Sequence, residues 1–349
     1  MESMIHDMAE RLFRDHVTHR MREDAASGQC PEALWTQIEE AGLTMALVPE
    51  DAGGFGVPPA EALGLLRIAG AHGLPLPLAE TLIANAVLAT ANMALPGGRL
   101  TIAEGEALRL EQRGKRVHAS GHLTLVPFAR WASLIVTIAV LDGTDHVLSL
   151  PVKVLNVAPA QDLAGMPRDD IKLDHTLAET DAVPLPRPMG GMRQLGALIR
   201  SLAAAGAMET ILEMSIQYAN DRVQFGRPIG KFQAIQQQLA VLSTHVAAAN
   251  VAAAHACAAA DKYGEKGSAR FEIAVAKIRA DEAANLATGI AHQVHGAIGF
   301  TYEHSLHFAT RRLWSWRAEF GSGRDWAKEL GHAAIERGGA ALWPFVTAR

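Results

Sequence analysis

Residues 221–236 read DRVQFGRPIGKFQAIQ and separate two long, alanine-rich segments of the chain. Alanine is a strong helix former, and apolar residues recur three or four positions apart in both segments, at Leu198 and Leu202 before the stretch and at Leu239 and Leu242 after it. This spacing places them on one face of a helix. We therefore predict two long helices, each with one apolar stripe, that pack against each other on either side of residues 221–236.

The connection contains polar and aromatic side chains that a helical hairpin does not need. Gly226 can end the first helix, Pro228 cannot continue it, and Gly230 permits the reversal before the second helix. A structural turn would need only these three residues. The stretch also contains Arg222, together with glutamine and phenylalanine side chains. Such a set is able to bind a phosphate, stack on an aromatic face and hydrogen-bond to a polar ring edge.

Two motifs resemble one protein family. Residues 222–233 closely resemble the R-x-Q-F-G-x-x-I-x-x-F-Q signature of acyl-CoA dehydrogenases. Residues 293–301 read QVHGAIGFT and are similar to the Q-x-x-G-G-x-G-F-T segment of that family. The two motifs are separated as the family would have them, and the order of helices, strands and helices along the chain agrees with its organisation. The resemblance therefore spans almost the whole chain.

Composition divides the chain into three regions. Residues 1–98 read as helices broken by glycine and proline, and residues 99–188 hold short β-branched runs typical of strands. Residues 189–349 are again helical and rich in alanine. The predicted fold class is α+β, mostly α and acyl-CoA dehydrogenase-like, with an N-terminal helical domain (1–98), a small middle β domain (99–188) and a C-terminal four-helix bundle (189–349).

Within these regions several elements have local signals. Four apolar runs predict strands of an antiparallel unit: Leu123–Val126, Leu134–Val140, Val147–Leu150 and Val152–Val157. In the bundle, a third helix is predicted from about Phe271 to Val294. Ser322 followed by Asp325 predicts a capping box that starts the fourth.

The resemblance implies that this chain contacts FAD, and that it does so in a neighbouring subunit. It assigns Arg222 to the pyrophosphate, where a guanidinium meets two phosphate oxygens with charge-assisted bonds. It assigns three further side chains to the adenine half of the cofactor: Gln224, Phe225 and Gln233. Gln293, Gly296 and Ala297 match positions that also contact the dinucleotide, with Ala297 standing where a second glycine is usual.

The match to the family is weaker at the catalytic positions than at the cofactor-binding positions. A glutamate removes the α-proton of an acyl-CoA thioester while the β-hydrogen leaves as hydride to the flavin. Its usual position corresponds to Phe320, and the alternative position on the preceding long helix corresponds to Gly196, so neither is a carboxylate. The middle region lacks a recognisable T-E-P-x-A-G-S-D stretch, of which only residues 101–104 vaguely resemble the start. Glu319, one residue before Phe320, is the candidate for a displaced base.

Two hypotheses of different kinds remain open. The first is a structural subunit that completes the FAD site of a second acyl-CoA dehydrogenase-like chain in a heterotetramer, similar to the short subunits of steroid-type acyl-CoA dehydrogenases. The second is a self-sufficient homo-oligomeric dehydrogenase that binds acyl-CoA and uses Glu319. Neither the acyl chain nor the electron acceptor can be read from these residues.

Composition argues against other function classes. The net charge of -5 is spread over both signs, so the sequence predicts no nucleic-acid partner. Uninterrupted apolar stretches fall short of a membrane span, and the N-terminus lacks a signal-peptide core, so a cytoplasmic protein is predicted. The pairs His292/His295 and His304/His307 have a spacing that could suit a metal, but no further cysteine or acidic cluster completes a ligand set, and no metal site is predicted.

Overall fold

The computed structural model describes residues 4–261 and 269–347. Helices occupy its beginning and its end, and strands lie between them. The first helices are α1 (Met4–His16), α2 (His19–Ala26), α3 (Glu32–Glu40), α4 (Pro59–Ala71) and α5 (Leu78–Thr90). The later helices are α6 (Met192–Asp221), α7 (Gln233–Asp261), α8 (Arg270–His295), α9 (Leu306–Ala318), α10 (Gly323–Arg337) and α11 (Gly339–Thr347). The predicted fold class is confirmed, whereas the domain limits at 98 and 188 stay a prediction.

The middle region contains two four-stranded sheets, ordered β1-β4-β5-β8 and β2-β3-β7-β6. Their strands are β1 (Leu100–Ile102), β2 (Arg109–Arg113), β3 (Arg116–Pro127), β4 (Leu134–Leu141), β5 (Thr144–Pro151), β6 (Asn156–Ala158), β7 (Arg168–Leu177) and β8 (Ala182–Pro184). Aliphatic side chains of both sheets share one core, among them Leu123 and Ile171 of one sheet and Ile135 and Leu148 of the other. The predicted antiparallel pairing holds for these sheets except that β1 runs parallel to β4.

Residues 152–157 do not form the predicted strand. Residues Val152–Val154 form a short 3-10 helix, and β6 begins only at Asn156. Pro151 lies directly before the 3-10 turn with φ of -63°. Because proline has no N–H to donate, the ladder of β5 ends there and the chain turns before it pairs again.

Helix α6 is buried on all sides over its first half rather than along one stripe. From Gln194 to Met208 its residues are buried, because α4, α7, α8 and α9 pack around it. Its second half emerges from the core, so that Ile216 is 42% exposed. The single-stripe prediction for this helix was therefore wrong, since a central helix surrounded by other helices needs apolar residues around its whole circumference.

After α8, the described part of the chain continues with α9, α10 and α11. The predicted capping box is confirmed at the start of α10: Ser322 Oγ accepts from the Asp325 N–H, and the Asp325 carboxylate accepts from the Ser322 N–H at 3.0 Å. Helix α10 packs on α8 as the fourth helix of the bundle. Helix α9 is additional to the predicted four and lies against α6 and α8. It positions the two residues that follow it, Glu319 and Phe320.

Candidate functional site

The first motif forms a projecting hairpin, which we call the cofactor arm (residues 222–233). Helix α6 ends at Asp221, and strand β9 (Val223–Gln224) pairs with β10 (Arg227–Pro228) in antiparallel fashion. Phe225 and Gly226 form the turn with φ of 51° and 80°. Two successive positive φ angles are typical of the two-residue turn that suits a twisted hairpin. Gly226 therefore closes this turn. The prediction that it ends the first helix was wrong, because α6 already ends at Asp221.

The turn of the cofactor arm holds an aromatic side chain under strain. A non-glycine residue in the left-handed region is unfavourable, yet Phe225 adopts it and leaves its side chain 91% exposed. The ring of Phe232 meets it edge-on, with 6.1 Å between centroids. Holding an almost fully exposed ring in a strained turn is unfavourable for an isolated chain, so this geometry favours a contact with something outside it.

The polar side chains of the cofactor arm also face outward. Arg222, Gln224 and Gln233 are all exposed. Of the described residues, no carboxylate lies within ion-pair distance of Arg222. A free guanidinium beside two exposed amides fits a phosphate with a polar ring near it.

The second motif lies beside the arm at the same end of the bundle. Helix α8 ends at His295, and Gly296 has φ of 62°, with open space where a Cβ would be. Gln293, Gly296 and Ala297 are exposed. The rings of Tyr218, near the end of α6, and His295 stack with centroids 4.6 Å apart, which holds the two motifs together.

Seven residues had been assigned to FAD, and all of them lie on this outward-facing end: Arg222, Gln224, Phe225, Gln233, Gln293, Gly296 and Ala297. Their chemistry fits the pyrophosphate and adenine portions of the dinucleotide, because it supplies a free cation, amide groups, an aromatic face and a glycine with an unobstructed approach. The group faces away from the interior of its own chain. Their individual roles stay predictions.

The two positions that the resemblance assigns to the family's base touch each other. Phe320 is 6% exposed, and its ring lies directly over Gly196 of α6. A Cβ built on Gly196 would stand 2.2 Å from two atoms of that ring. The indole N–H of Trp326 donates to the Phe320 carbonyl at 3.0 Å and helps to fix this residue, whose φ is 54°. An apolar ring therefore fills the space where a base had been expected.

Glu319 is held in a buried charge network, which comprises Glu80, Asp162, Arg168, Arg200 and Glu319. Its carboxylate, 11% exposed, accepts from Arg168 Nη2 at 2.8 Å and from Arg200 Nε at 2.6 Å. Arg200 also pairs with Glu80 of α5, and Arg168 with Asp162 at 3.2 Å. The network thus joins the N-terminal helices, the β region and the bundle.

The electrostatics of Glu319 do not suit a general base. Burial alone would raise the pKa of this carboxyl, but Arg168 and Arg200 outweigh it and hold the pKa below its ordinary value. A base needs a pKa near the working pH and a free oxygen that can reach the substrate. Both oxygens of Glu319 are engaged by guanidinium groups, so the geometry favours a structural carboxylate.

The remnant of the middle-region motif is also committed to the fold. Thr101 in β1 is fully buried, and its hydroxyl donates to the Pro127 carbonyl. Burial and the nearby Glu106 raise the pKa of Glu104. The Thr101 hydroxyl is therefore not free for a flavin ring, and this part of the chain does not fit the isoalloxazine half of the cofactor.

The histidines of the second motif take part in ring contacts. His295 meets the ring of His304 with centroids 4.8 Å apart, and His292 stacks on Phe300 at 4.3 Å. Within residues 4–261 and 269–347, no three His, Cys, Asp or Glu side chains converge as metal ligands would.

The partners of Glu319 were not predicted, because Glu80, Arg168 and Arg200 carry no spacing signal that links them.

Comparison with known proteins gives two matching family models. They are "Acyl-CoA dehydrogenase, N-terminal domain" at residues 1–95 and "Acyl-CoA dehydrogenase, C-terminal domain" at residues 194–323. Acyl-CoA dehydrogenase IpdE2 of Mycobacterium tuberculosis is 30% identical over 283 residues, which are 80% of each chain. Acyl-CoA dehydrogenase FadE34 of the same organism is 30% identical over 83% of this chain and 40% of its own, longer chain.

Solved structures share the fold along nearly the whole length. The ChsE4-ChsE5 complex from Mycobacterium tuberculosis matches with a TM-score of 0.85 at 20% identity, covering 96% of this chain and 97% of that one. The Tcur3481-Tcur3483 steroid acyl-CoA dehydrogenase matches with a TM-score of 0.86 at 24% identity, covering 95% and 97%.

Proposed function

Because this chain belongs to the acyl-CoA dehydrogenase family, we propose that it is a subunit that completes the FAD site of a second acyl-CoA dehydrogenase-like chain. The assembled complex would carry out α,β-dehydrogenation of an acyl-CoA thioester. In this role the chain lends its cofactor arm and second motif to the partner and forms no active site of its own.

One observation carries this proposal above the others. The place of the base is filled by Phe320 packed on Gly196, while the residues assigned to a neighbour's cofactor stand free and exposed. Drift alone would be expected to degrade both halves. The strained, exposed Phe225 and the free Arg222 are therefore expected to contact a ligand or subunit in an assembly.

The chain's own residues would bind and orient the cofactor. Arg222 would meet the pyrophosphate through its planar fork, and Gln224, Phe225 and Gln233 would line the adenine end. Gly296 permits a close approach of the backbone, because its Cβ position is open. When bound, FAD supplies the hydride acceptor for the β-hydrogen, and the partner would have to supply the base and the contacts to the flavin ring.

The outer face of α7 supports association with another subunit. Residues 233–260 contain no Asp, Glu, Lys or Arg, and Val241 and Val251 are 44% and 71% exposed. By length and composition alone α6 and α7 could each cross a membrane, but α6 is a core helix, with 83% of its apolar window buried. Only 28% of the corresponding window in α7 is buried. An uncharged helix face of this length is typical of a surface that an oligomer covers.

The nature of the partner and substrate follows from similarity. The ChsE4-ChsE5 complex contains two named chains, and the Tcur3481-Tcur3483 protein is described as a steroid dehydrogenase. We propose a heterotetramer of the same kind, acting on a steroid or other bulky acyl-CoA in the cytoplasm. The alternative, a homo-oligomer that uses Glu319, would require this carboxylate to leave both Arg168 and Arg200.

Arg222→Ala should lower FAD occupancy of the assembled oligomer without unfolding the chain. A charge-assisted hydrogen bond contributes roughly 1.5–3 kcal/mol, so we expect a loss of about tenfold or more in FAD affinity. Flavin absorbance per chain and the thermal midpoint would be measured together. The exposed Arg116→Ala in β3 is the matched control and should change neither. Unchanged flavin content in Arg222→Ala would contradict the assignment.

Flavin stoichiometry separates the two hypotheses directly. Expressed alone, the chain should be colourless or a flavin-poor dimer of low solubility, because the α7 face stays uncovered. Co-expressed with an acyl-CoA dehydrogenase-like partner from the same source, it should form a mixed tetramer with fewer FAD molecules than chains. Flavin per chain and mass in solution are the measurements. A soluble homo-oligomer with one FAD per chain, bleached by an acyl-CoA, would overturn the proposal.

A further inference from the structure

The contact between Tyr218 and His295 lies where both cofactor-binding segments leave the bundle. Tyr218 is in the last turn of α6, and its carbonyl accepts from the Arg222 N–H at 2.9 Å. His295 is the last residue of α8, directly before Gly296. Their rings stack at 4.6 Å with an angle of 25° between planes. This stack is thus a direct link between the start of the cofactor arm and the start of the second motif.

The bonding of His295 leaves one ring nitrogen without a partner. His295 is 3% exposed, and its Nδ1–H donates to the Ala291 carbonyl at 2.8 Å. Its Nε2 is buried and has no hydrogen-bond partner among the described residues. An uncharged ring with a bare Nε2 fits this environment, whereas a protonated ring would place an N–H where no acceptor is available.

The groups around His295 are not acidic. Tyr218 faces it from α6, His304 from the loop before α9, and His292 from its own helix. The Nδ1 of His304 accepts from the Leu306 N–H at 3.2 Å, so that its proton is on Nε2. Of the described residues, no carboxylate faces His295. A protonated ring would gain some attraction to the face of Tyr218, but its buried donor would stay unpaired.

We infer that His295 is a positioning residue for the cofactor arm: its uncharged ring ties α8 to α6, and protonation of that ring releases the arm. What the arm holds, FAD, rests on the proposed function. The tie itself is a property of this chain and can be tested without cofactor or partner.

The direction of the pH effect follows from the burial of these rings. Burial lowers the pKa of His295 below its ordinary value, His304 and His292 act in the same direction, and the bond to Ala291 opposes them. Burial likewise lowers the pKa of His292 and His304. An opened arm would take up protons near the ordinary value of about 6.5. The tie is therefore at full strength above about pH 6.5 and weakens as pH falls through the values of the folded state.

The test is amide hydrogen exchange on the full chain at pH 7.5 and pH 5.5, corrected for intrinsic exchange rates. In peptides that cover residues 215–232 and 288–305, the corrected exchange rate should be about fivefold higher or more at the lower pH. His295→Phe keeps an aromatic ring on Tyr218 and removes the titration of His295, so most of the pH dependence of residues 215–232, which contain no histidine, should vanish. His295→Ala removes both the ring and the titration, and should leave the arm open at either pH.

The control variant is His332→Phe, at an exposed position of α10. Helix α10 packs on α8 near Arg270 and Phe271, at the opposite end from His295. This variant should behave as the wild type does. Wild-type pH dependence in His295→Phe, or no pH dependence in the wild type, would overturn the inference. Flavin content of the assembled complex is measured in parallel: if the arm responds to pH and flavin content does not follow, the FAD assignment fails and the tie stands.

Discussion

Arg200→Met should lower the free energy of unfolding by about 3–5 kcal/mol, because it leaves buried carboxylates without their counter-charge. The Arg200 side chain is 4% exposed and pairs with both Glu80 and Glu319. Methionine keeps most of the volume of the side chain, so the loss reports the charge and not a cavity. Urea unfolding followed by far-UV circular dichroism gives the value.

An exposed pair supplies the control for this variant. Arg279 and Glu282 pair on the surface of α8, with 34% and 53% of their side chains exposed. Exposed pairs contribute about 0–1 kcal/mol, so Arg279→Met should have a small effect. Equal losses in Arg200→Met and Arg279→Met would contradict the view that the buried charge network holds the three regions together.

Phe320→Ala and Gly196→Ala should each destabilise the chain, and their effects should not add. Removing a buried phenylalanine ring costs about 3–5 kcal/mol. Adding a methyl group at Gly196, 2.2 Å from the Phe320 ring, should cost about 1–3 kcal/mol through overpacking. In the double variant the new methyl enters space that the ring has left. We therefore expect Gly196→Ala to be nearly neutral in the Phe320→Ala background.

The matched control for Gly196→Ala is Gly331→Ala in α10. A Cβ at Gly331 would meet no atom of the described residues within 4 Å, so alanine should be neutral or stabilise the helix by up to about 1 kcal/mol. The four stabilities of the Phe320 and Gly196 cycle come from urea midpoints with unchanged slopes. Additive losses would show that Phe320 does not rest on Gly196.

The elements with strong local signals could be predicted from the sequence. The long helices follow from apolar periodicity, and the start of α10 follows from the Ser322 and Asp325 pair, because both signals are written within a few residues. Helix α9 lies directly after the second motif, and its Leu306 and Leu313 are seven residues apart, a helical signal that was available. The signal is weak because charged residues interrupt the apolar pattern, and one of them, Arg312, is buried in the fold.

Contacts between distant segments could not be predicted in the same way. Phe320 and Gly196 were both identified as base positions by resemblance, but their contact depends on how α6 and the residues after α9 are placed. Glu319 was a candidate base because only its position was known. Its partners come from residues 80, 168 and 200, and no spacing rule relates charges so far apart. Predicting such a network requires the fold first.

The packing at Phe320 bears on how such a chain can change through evolution. A glutamate at position 320 would leave the space over Gly196 unfilled and would bury another carboxylate beside Glu319. Both effects act against folding, and the second grows because Arg168 and Arg200 are already paired. A single Phe320→Glu substitution is therefore expected to lower the stability of the chain. Several positions would have to change together before a carboxylate at position 320 could be accommodated.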